Sequence, residues 1–195
     1  MNSKPIWMAP VACVALAGCG VNSIPTAEEA VNAQYANLQS SYQRRADLIP
    51  NLEAVVKGAA ASERGILVDV IDARAKATSV QLTPGDLSDP AKVAQFQAAQ
   101  GKLSQSLGRL LVNVERYPTL QSQQTFQTFQ AQIEGTENRI NVERQKYNEA
   151  VQAYNTRIRT FPDAIGAKVI YGAKPKVAFQ ADAGAEKAPT VNFGA

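Results

Sequence analysis

Between Phe126 and Pro162, large apolar side chains return every seven residues: Phe126, Ile133, Ile140, Tyr147, Tyr154 and Phe161. Val151 and Ile158 follow the two Tyr by four residues and widen this line into a helix face. A repeat held this long keeps one helix against its neighbours for roughly 50 Å, at about 1.5 Å per residue. Asn141, Asn148 and Asn155 each follow a stripe residue, so a polar line runs beside the apolar one. Asn placed regularly along a helix seam is expected to hydrogen-bond to a partner helix and set register, at some cost in stability.

The same periodicity predicts two further helices upstream. From Val31 to Ala77 the positions Val31, Tyr35, Leu38, Tyr42, Arg45, Ile49 and onward through Val70, Ala73 and Ala77 alternate steps of four and three, and only Arg45 and Glu63 are charged. Thr26-Ala27-Glu28-Glu29 reads as a capping box at the start of this helix. Pro50 lies inside it and removes one ladder bond. Because the stripe keeps its phase through Pro50, a kink near 47–51 is predicted rather than a reversal, with two separate helices as the alternative. Pro84-Gly85-Asp86 marks a turn within 79–88, after which Asp89 caps a second helix with Pro90 at its first position. Its stripe of Val93, Phe96, Gln100, Leu103, Leu107 and Leu110 runs on to Tyr117, and Pro118 ends it. The third helix, with the heptad stripe, stops at Phe161-Pro162. A short helix is expected over 163–171, an extended piece at Lys174-Pro175-Lys176, and no order over 180–195, where small residues show no period. The predicted fold is all-α: an elongated antiparallel bundle of three to four long helices, the first kinked near Pro50. Folding the first two helices about residue 83 would set Gly65 against Gly101 and Gly58 against Gly108, either for close backbone approach or as merely tolerated glycines.

The first 25 residues belong to a different kind of segment. Lys4 precedes an apolar run from Ile6 to Ala17, interrupted by Pro10. At roughly 20 Å this run is short of the roughly 30 Å hydrocarbon core. Leu16-Ala17-Gly18-Cys19 closes it and resembles a bacterial lipobox, which implies cleavage before Cys19 and lipid attachment to that residue. The domain plan is then a lipoprotein signal peptide over 1–18, a lipid-anchored tether over 19–25, a helical bundle over 26–179 and a disordered tail over 180–195. Gly20, where Asp resembles an inner-membrane retention signal, points to the periplasmic face of the outer membrane in a Gram-negative cell.

Composition argues against several classes of function. A net charge of +3 with no basic cluster among aromatics gives no nucleic-acid footprint. The chain has no His, the commonest general base and metal ligand near neutral pH, and with Cys19 acylated it has no free thiol. No catalytic residue, metal or cofactor is expected. The one feature that demands a partner is Arg45, a charge inside an apolar seam. Desolvating it alone would cost several kcal/mol, so it either pairs with Glu137 or Glu134 of another helix or sends its head to water.

Two segments carry a family resemblance. Arg44-Arg45-Ala46-Asp47-Leu48-Ile49-Pro50-Asn51-Leu52 resembles the first signature of the LemA family. Glu137-Asn138-Arg139-Ile140, with Tyr147-Asn148, Tyr154-Asn155 and Phe161-Pro162, resembles the second. The likeness spans roughly 27–179. It implies an elongated helical bundle behind an N-terminal membrane segment, mostly outside the cytoplasm, with no established activity or ligand; here a lipobox replaces the usual transmembrane helix. The expected role is a non-enzymatic scaffold or adaptor of the bacterial cell envelope, attached to the membrane by its N-terminal lipid and touching an envelope protein partner. The alternative is a binding module that holds a peptide, glycan or hydrophobic ligand between helices.

Overall fold

The structure is a computed structural model that describes residues 22–56, 64–114 and 124–180. Helix α1 is Ser23–Val56, α2 is Arg64–Ser79, α3 is Pro90–Val114 and α4 is Gln124–Arg157. A 3₁₀ turn over Pro84–Ser88 leads into α3, and after α4 a short helix α5, Asp163–Gly166, continues as a π-turn over Ala167–Tyr171. Among the described residues there is no strand. The four long helices run up, down, up and down: Arg45 of α1 meets Glu137 of α4, and Tyr35 meets Tyr147, as antiparallel neighbours do.

The stretch from Val31 to Ala77 forms two helices, the alternative to one long kinked helix. Arg74 Nε of α2 donates to the Ala46 carbonyl of α1 at 2.8 Å, so α2 folds back along the upper half of α1. α1 passes through Pro50 as a single helix, and residues 57–63 lie outside the described residues. Periodicity missed the fold-back because the stripes of α1 and α2 happen to stay in phase across the connection. Pro50 has no N–H for the carbonyl four residues earlier, which is that of Ala46, and Arg74 supplies the missing donor. The helix keeps its proline because a neighbour satisfies the orphaned oxygen.

Other ends also shift. α1 begins at Ser23, and Thr26 Oγ1 donates back to the Asn22 carbonyl at 2.8 Å instead of capping Glu29. Pro25 is harmless there, since N–H groups of a first turn have no intrahelical partner. Buried Ile24 holds that turn against Ala167. Asp89 does cap α3, accepting from the Ala91 and Lys92 amides at 2.9 and 3.3 Å. α4 ends at Arg157, short of Phe161, whose side chain is 82% exposed and not part of the core. The remaining stripe, Phe126 through Tyr154, is buried as predicted. The glycine register is also different: Gln100 of α3 reaches the Ala77 carbonyl of α2, so these helices fold about a point well after residue 83. The chain spends Val80 to Asp89 descending to the start of α3, which a symmetric fold-over ignores. An added methyl at Gly65 or Gly108 would meet nothing within 4 Å, and Gly58 lies outside the described residues.

The core is in two parts. The lower part gathers Val31, Tyr35, Phe96, Tyr147, Tyr154 and Phe179; the upper gathers Ile49, Val70, Leu103, Leu107, Phe126 and Ile133. In the lower half, where α2 is absent, an extended segment over 173–180 lies against α4. Gly172, at φ +54°, ends the π-turn in the left-handed conformation, and the Ala173 amide caps the Ala167 carbonyl at 2.9 Å.

Candidate functional site

Between the two apolar clusters lies a polar layer built from all four long helices. Its centre is Arg45, 1% exposed. One guanidinium nitrogen, Nη1, donates to Glu137 Oε1 of α4 at 2.8 Å and to Ser104 Oγ of α3 at 2.6 Å. The other, Nη2, donates to the Gln100 side-chain oxygen at 2.6 Å and its backbone carbonyl at 3.3 Å. Gln100 in turn donates to the Ala77 carbonyl of α2 at 3.0 Å, and Ser104 donates to Glu137 Oε2 at 3.2 Å. The Tyr42 ring lies 5.2 Å from the guanidinium carbon. Arg45 thus pairs with Glu137, while Glu134 stays exposed and accepts from Gln130. A cleft of about 100 Å³, lined by Tyr42, Gln97, Ser104, Glu137 and Arg144 among others, leads to this pair from outside. That opening explains why Glu137 keeps 29% of its side chain exposed.

A second constellation grips the extended segment. Asn155 Nδ2 donates to the Lys176 carbonyl and Asn155 Oδ1 accepts from the Lys176 amide, both at 2.8 Å. Asn148 does the same with Phe179, at 2.9 and 2.8 Å. Each carboxamide therefore mimics the edge of a neighbouring strand, satisfying both backbone groups of one residue. The spacing fits: seven helical residues rise about 10.5 Å, and three extended residues span about 10 Å. The Asn line was expected to bond a partner helix, and it bonds this non-helical segment instead. Asn141, earlier in that line, is exposed.

Three further contacts secure the segment. The Tyr147 hydroxyl donates to the Val177 carbonyl at 3.0 Å, and the Val177 amide donates to the Leu87 carbonyl at 2.8 Å. The Phe179 ring sits edge-on to Tyr147, with centroids 4.9 Å apart. Lys176 is buried, with its ammonium 2.9 Å from Glu28, 3.3 Å from the Pro84 carbonyl and 6.0 Å from the Tyr154 ring centre. Arg144 and Gln97 both donate to the Gln180 carbonyl. Burial raises the phenol pKa of Tyr35, Tyr147 and Tyr154 above the usual value, most strongly at Tyr147.

The remaining motif residues are elsewhere. Arg44, Asp47, Pro50, Asn51, Asn138 and Arg139 are exposed on α1 and α4. Asp47 accepts from Gln43 at 2.8 Å. Tyr147 and Tyr154 are core residues, and Cys19 lies outside the described residues. Sequence reasoning did not single out Ser104 or Arg74, and it named Glu28 only in a capping box and Lys176 only in an extended piece. Gln100 was visible only as a polar break in the α3 stripe. Among the described residues, no three His, Cys, Asp or Glu gather as a metal site, and no helix is long and apolar enough to cross a membrane. In chemical terms, both constellations fix backbone and helix register.

The sequence matches the LemA family over residues 34–193, which includes the polar layer and both clamping Asn but not Glu28. It is similar to magnetosome protein MamQ 2 and magnetosome protein MamQ 1 of Paramagnetospirillum magneticum, each 28% identical over 158 residues. Magnetosome protein MamQ of Magnetospirillum gryphiswaldense is 28% identical over 159 residues. These alignments cover 72% of this chain but only 58% of each relative, so the chain spans little more than half the length of the curated relatives it matches. Arg45, Glu137, Asn148 and Asn155 stand within the matched region, and the chain belongs to the LemA family.

Proposed function

We propose that this chain is a membrane-anchored helical bundle of the bacterial cell envelope that works by contact, as a scaffold or adaptor, and not as an enzyme. The anchor in this reading is a lipid on Cys19, which holds the bundle outside the cytoplasm, at the periplasmic face of the outer membrane in a Gram-negative cell. The observation that carries the contact role is how the motif residues divide. Arg45, Glu137, Tyr147, Asn148, Tyr154 and Asn155 are engaged in holding the bundle together. Arg44, Asp47, Asn51, Asn138 and Arg139 project from the same stretches of α1 and α4 with their side chains exposed. An exposed polar set fixed on rigid helices suits recognition of another protein.

The rival role, a ligand held between helices, has less support. The space beside Tyr147 is filled by Tyr35 and Phe179, and the cleft at Arg45 is about 100 Å³, small against the few hundred Å³ of ordinary ligand sites. Photocrosslinking side chains placed at Arg44 and Arg139 in living cells, with Gln152 as an exposed control low on α4, test the contact role. A discrete protein adduct at positions 44 and 139 that is absent at 152 is expected. The same diffuse products at every position would refute it.

A further inference from the structure

The base of the bundle carries a surface that the contact role leaves unexplained. Over 161–171 the side chains of Phe161, Ile165, Val169 and Ile170 are 82, 60, 77 and 59% exposed. Ile165 and Val169, four residues apart on one helical stretch, share a face. The opposite face is made of small residues: Ala167 is buried in the lower core, and a methyl on Gly166 would reach Ile24 Cδ1 at 3.7 Å. The bundle therefore holds this helix by its small side and turns its large apolar side outward. A group of aliphatic and aromatic side chains this exposed marks an interaction surface.

Two observations say what covers it. First, Ser23 Oγ, in the first turn of α1, donates to Asp163 Oδ2 at 2.7 Å, so the start of α1 lies beside the patch. Cys19 is four residues earlier, at most about 14 Å of extended chain away. Second, the flanks are basic: Arg157, Arg159, Lys168 and Lys174 are exposed, and the acid among them, Asp163, is half-buried and bonded to Ser23. Exposed apolar side chains with Lys and Arg among and beside them in the chain are the composition that enters the interface of an anionic bilayer.

We infer that α5 and the π-turn form a membrane foot: Phe161, Ile165, Val169 and Ile170 insert into the headgroup region of the bilayer that carries the Cys19 lipid, and the four cations meet anionic lipid phosphates. This rests on the lipid anchor proposed above. The foot turns a loose tether into a fixed stance, with α1 rising from the surface. The polar layer at Arg45 then stands about 30 Å above the first turn, at 1.5 Å per residue, and lifts Arg44 and Arg139 clear of the lipid.

The test uses the lipid-bearing chain that begins at Cys19; Trp7 leaves with the signal peptide, so an introduced indole stands alone. Phe161→Trp places the indole in the foot, and Val112→Trp, 62% exposed near the top of α3, is the control. Both proteins are placed in vesicles of phosphatidylethanolamine and phosphatidylglycerol with brominated acyl chains, and flotation is scored first. Protein that floats, with the indole at 161 blue-shifted and quenched by bromine while that at 112 is not, is the expected result. Adding Ile165→Asp and Val169→Asp should abolish the quenching without changing flotation or helical circular dichroism. Flotation with an indole at 161 that only aqueous acrylamide quenches, as at 112, overturns the foot and leaves the anchor standing. Failure to float overturns both. Shielding at 161 that follows protein concentration and ignores the lipid assigns the patch to a second copy of the chain and overturns the bilayer.

Discussion

Replacing Glu137 by Gln keeps the shape of the polar layer and removes its negative charge. Arg45 is 1% exposed and retains neutral acceptors in Ser104 and Gln100. Breaking a fully buried ion pair costs about 3–5 kcal/mol, because the remaining charge is left uncompensated. Glu137 is 29% exposed and a cleft of about 100 Å³ opens beside it, so water and the neutral partners offset part of that penalty. The expected loss for Glu137→Gln is about 2 kcal/mol, close to a charge-assisted hydrogen bond reduced to a neutral one. Arg45→Met removes the charge but leaves the Gln100 oxygen short of its donor, and should also destabilise. The double variant should be little worse than either single one, giving a coupling of about 2 kcal/mol. Urea unfolding followed by circular dichroism reads these differences through the midpoint at constant slope. If Glu137→Gln lies within about 0.5 kcal/mol of the parent and the changes simply add, Arg45 is satisfied without Glu137 and the ion pair is not what stabilises the layer.

Four other outcomes follow from the same geometry. Arg74→Met should destabilise by about 1–3 kcal/mol by orphaning the Ala46 carbonyl, and the loss should shrink in a Pro50→Ala background, where the helix supplies its own donor; an unchanged loss would refute this pairing. Asn155→Ala should raise amide exchange at Lys176, whose N–H has Asn155 as its acceptor, before exchange rises in α4, and simultaneous release would show that the segment and helix open as one. The phenols of Tyr35, Tyr147 and Tyr154 have folded pKa values above the usual value near 10, so the unfolded chain releases their protons first. Their contribution is complete below pH about 10 and falls as pH rises toward the folded values; absorbance titration should show these phenols ionising together with loss of helix, and phenolate forming in intact helix would contradict it. Gly108→Ala should stabilise by up to about 1 kcal/mol through helix propensity, since the added methyl meets open space; a lower melting temperature would restore close helix approach at that position.

The parts of the fold legible in the sequence were those with a helical period. The stripes of α1, α3 and α4 are buried along their described lengths up to Tyr154; the charge in the α1 seam called for a partner, and of Glu137, Glu134 and water it is Glu137 that meets it. The reversal between α1 and α2 was hidden because period alone does not report direction. Its physical marker is Arg74, which answers the carbonyl freed by Pro50, and that link is visible only in three dimensions. The segment over 173–180 shows no helical period because it is extended, held by backbone bonds to Asn148 and Asn155 and by the buried side chains of Lys176 and Phe179. Asn148 and Asn155 announced a regular acceptor-donor row but not whether helix or extended chain would meet it. Phe161 continued the heptad on paper, yet α4 stops at Arg157 and turns that ring outward.

The proposed role requires a chain held at a bilayer through Cys19. The direct measurement is the intact mass of the native protein recovered from cell membranes, with the N-terminal peptide sequenced. A chain that begins at Cys19 and carries the added mass of acyl groups is the predicted result. A chain that retains Met1 and carries no lipid would contradict it.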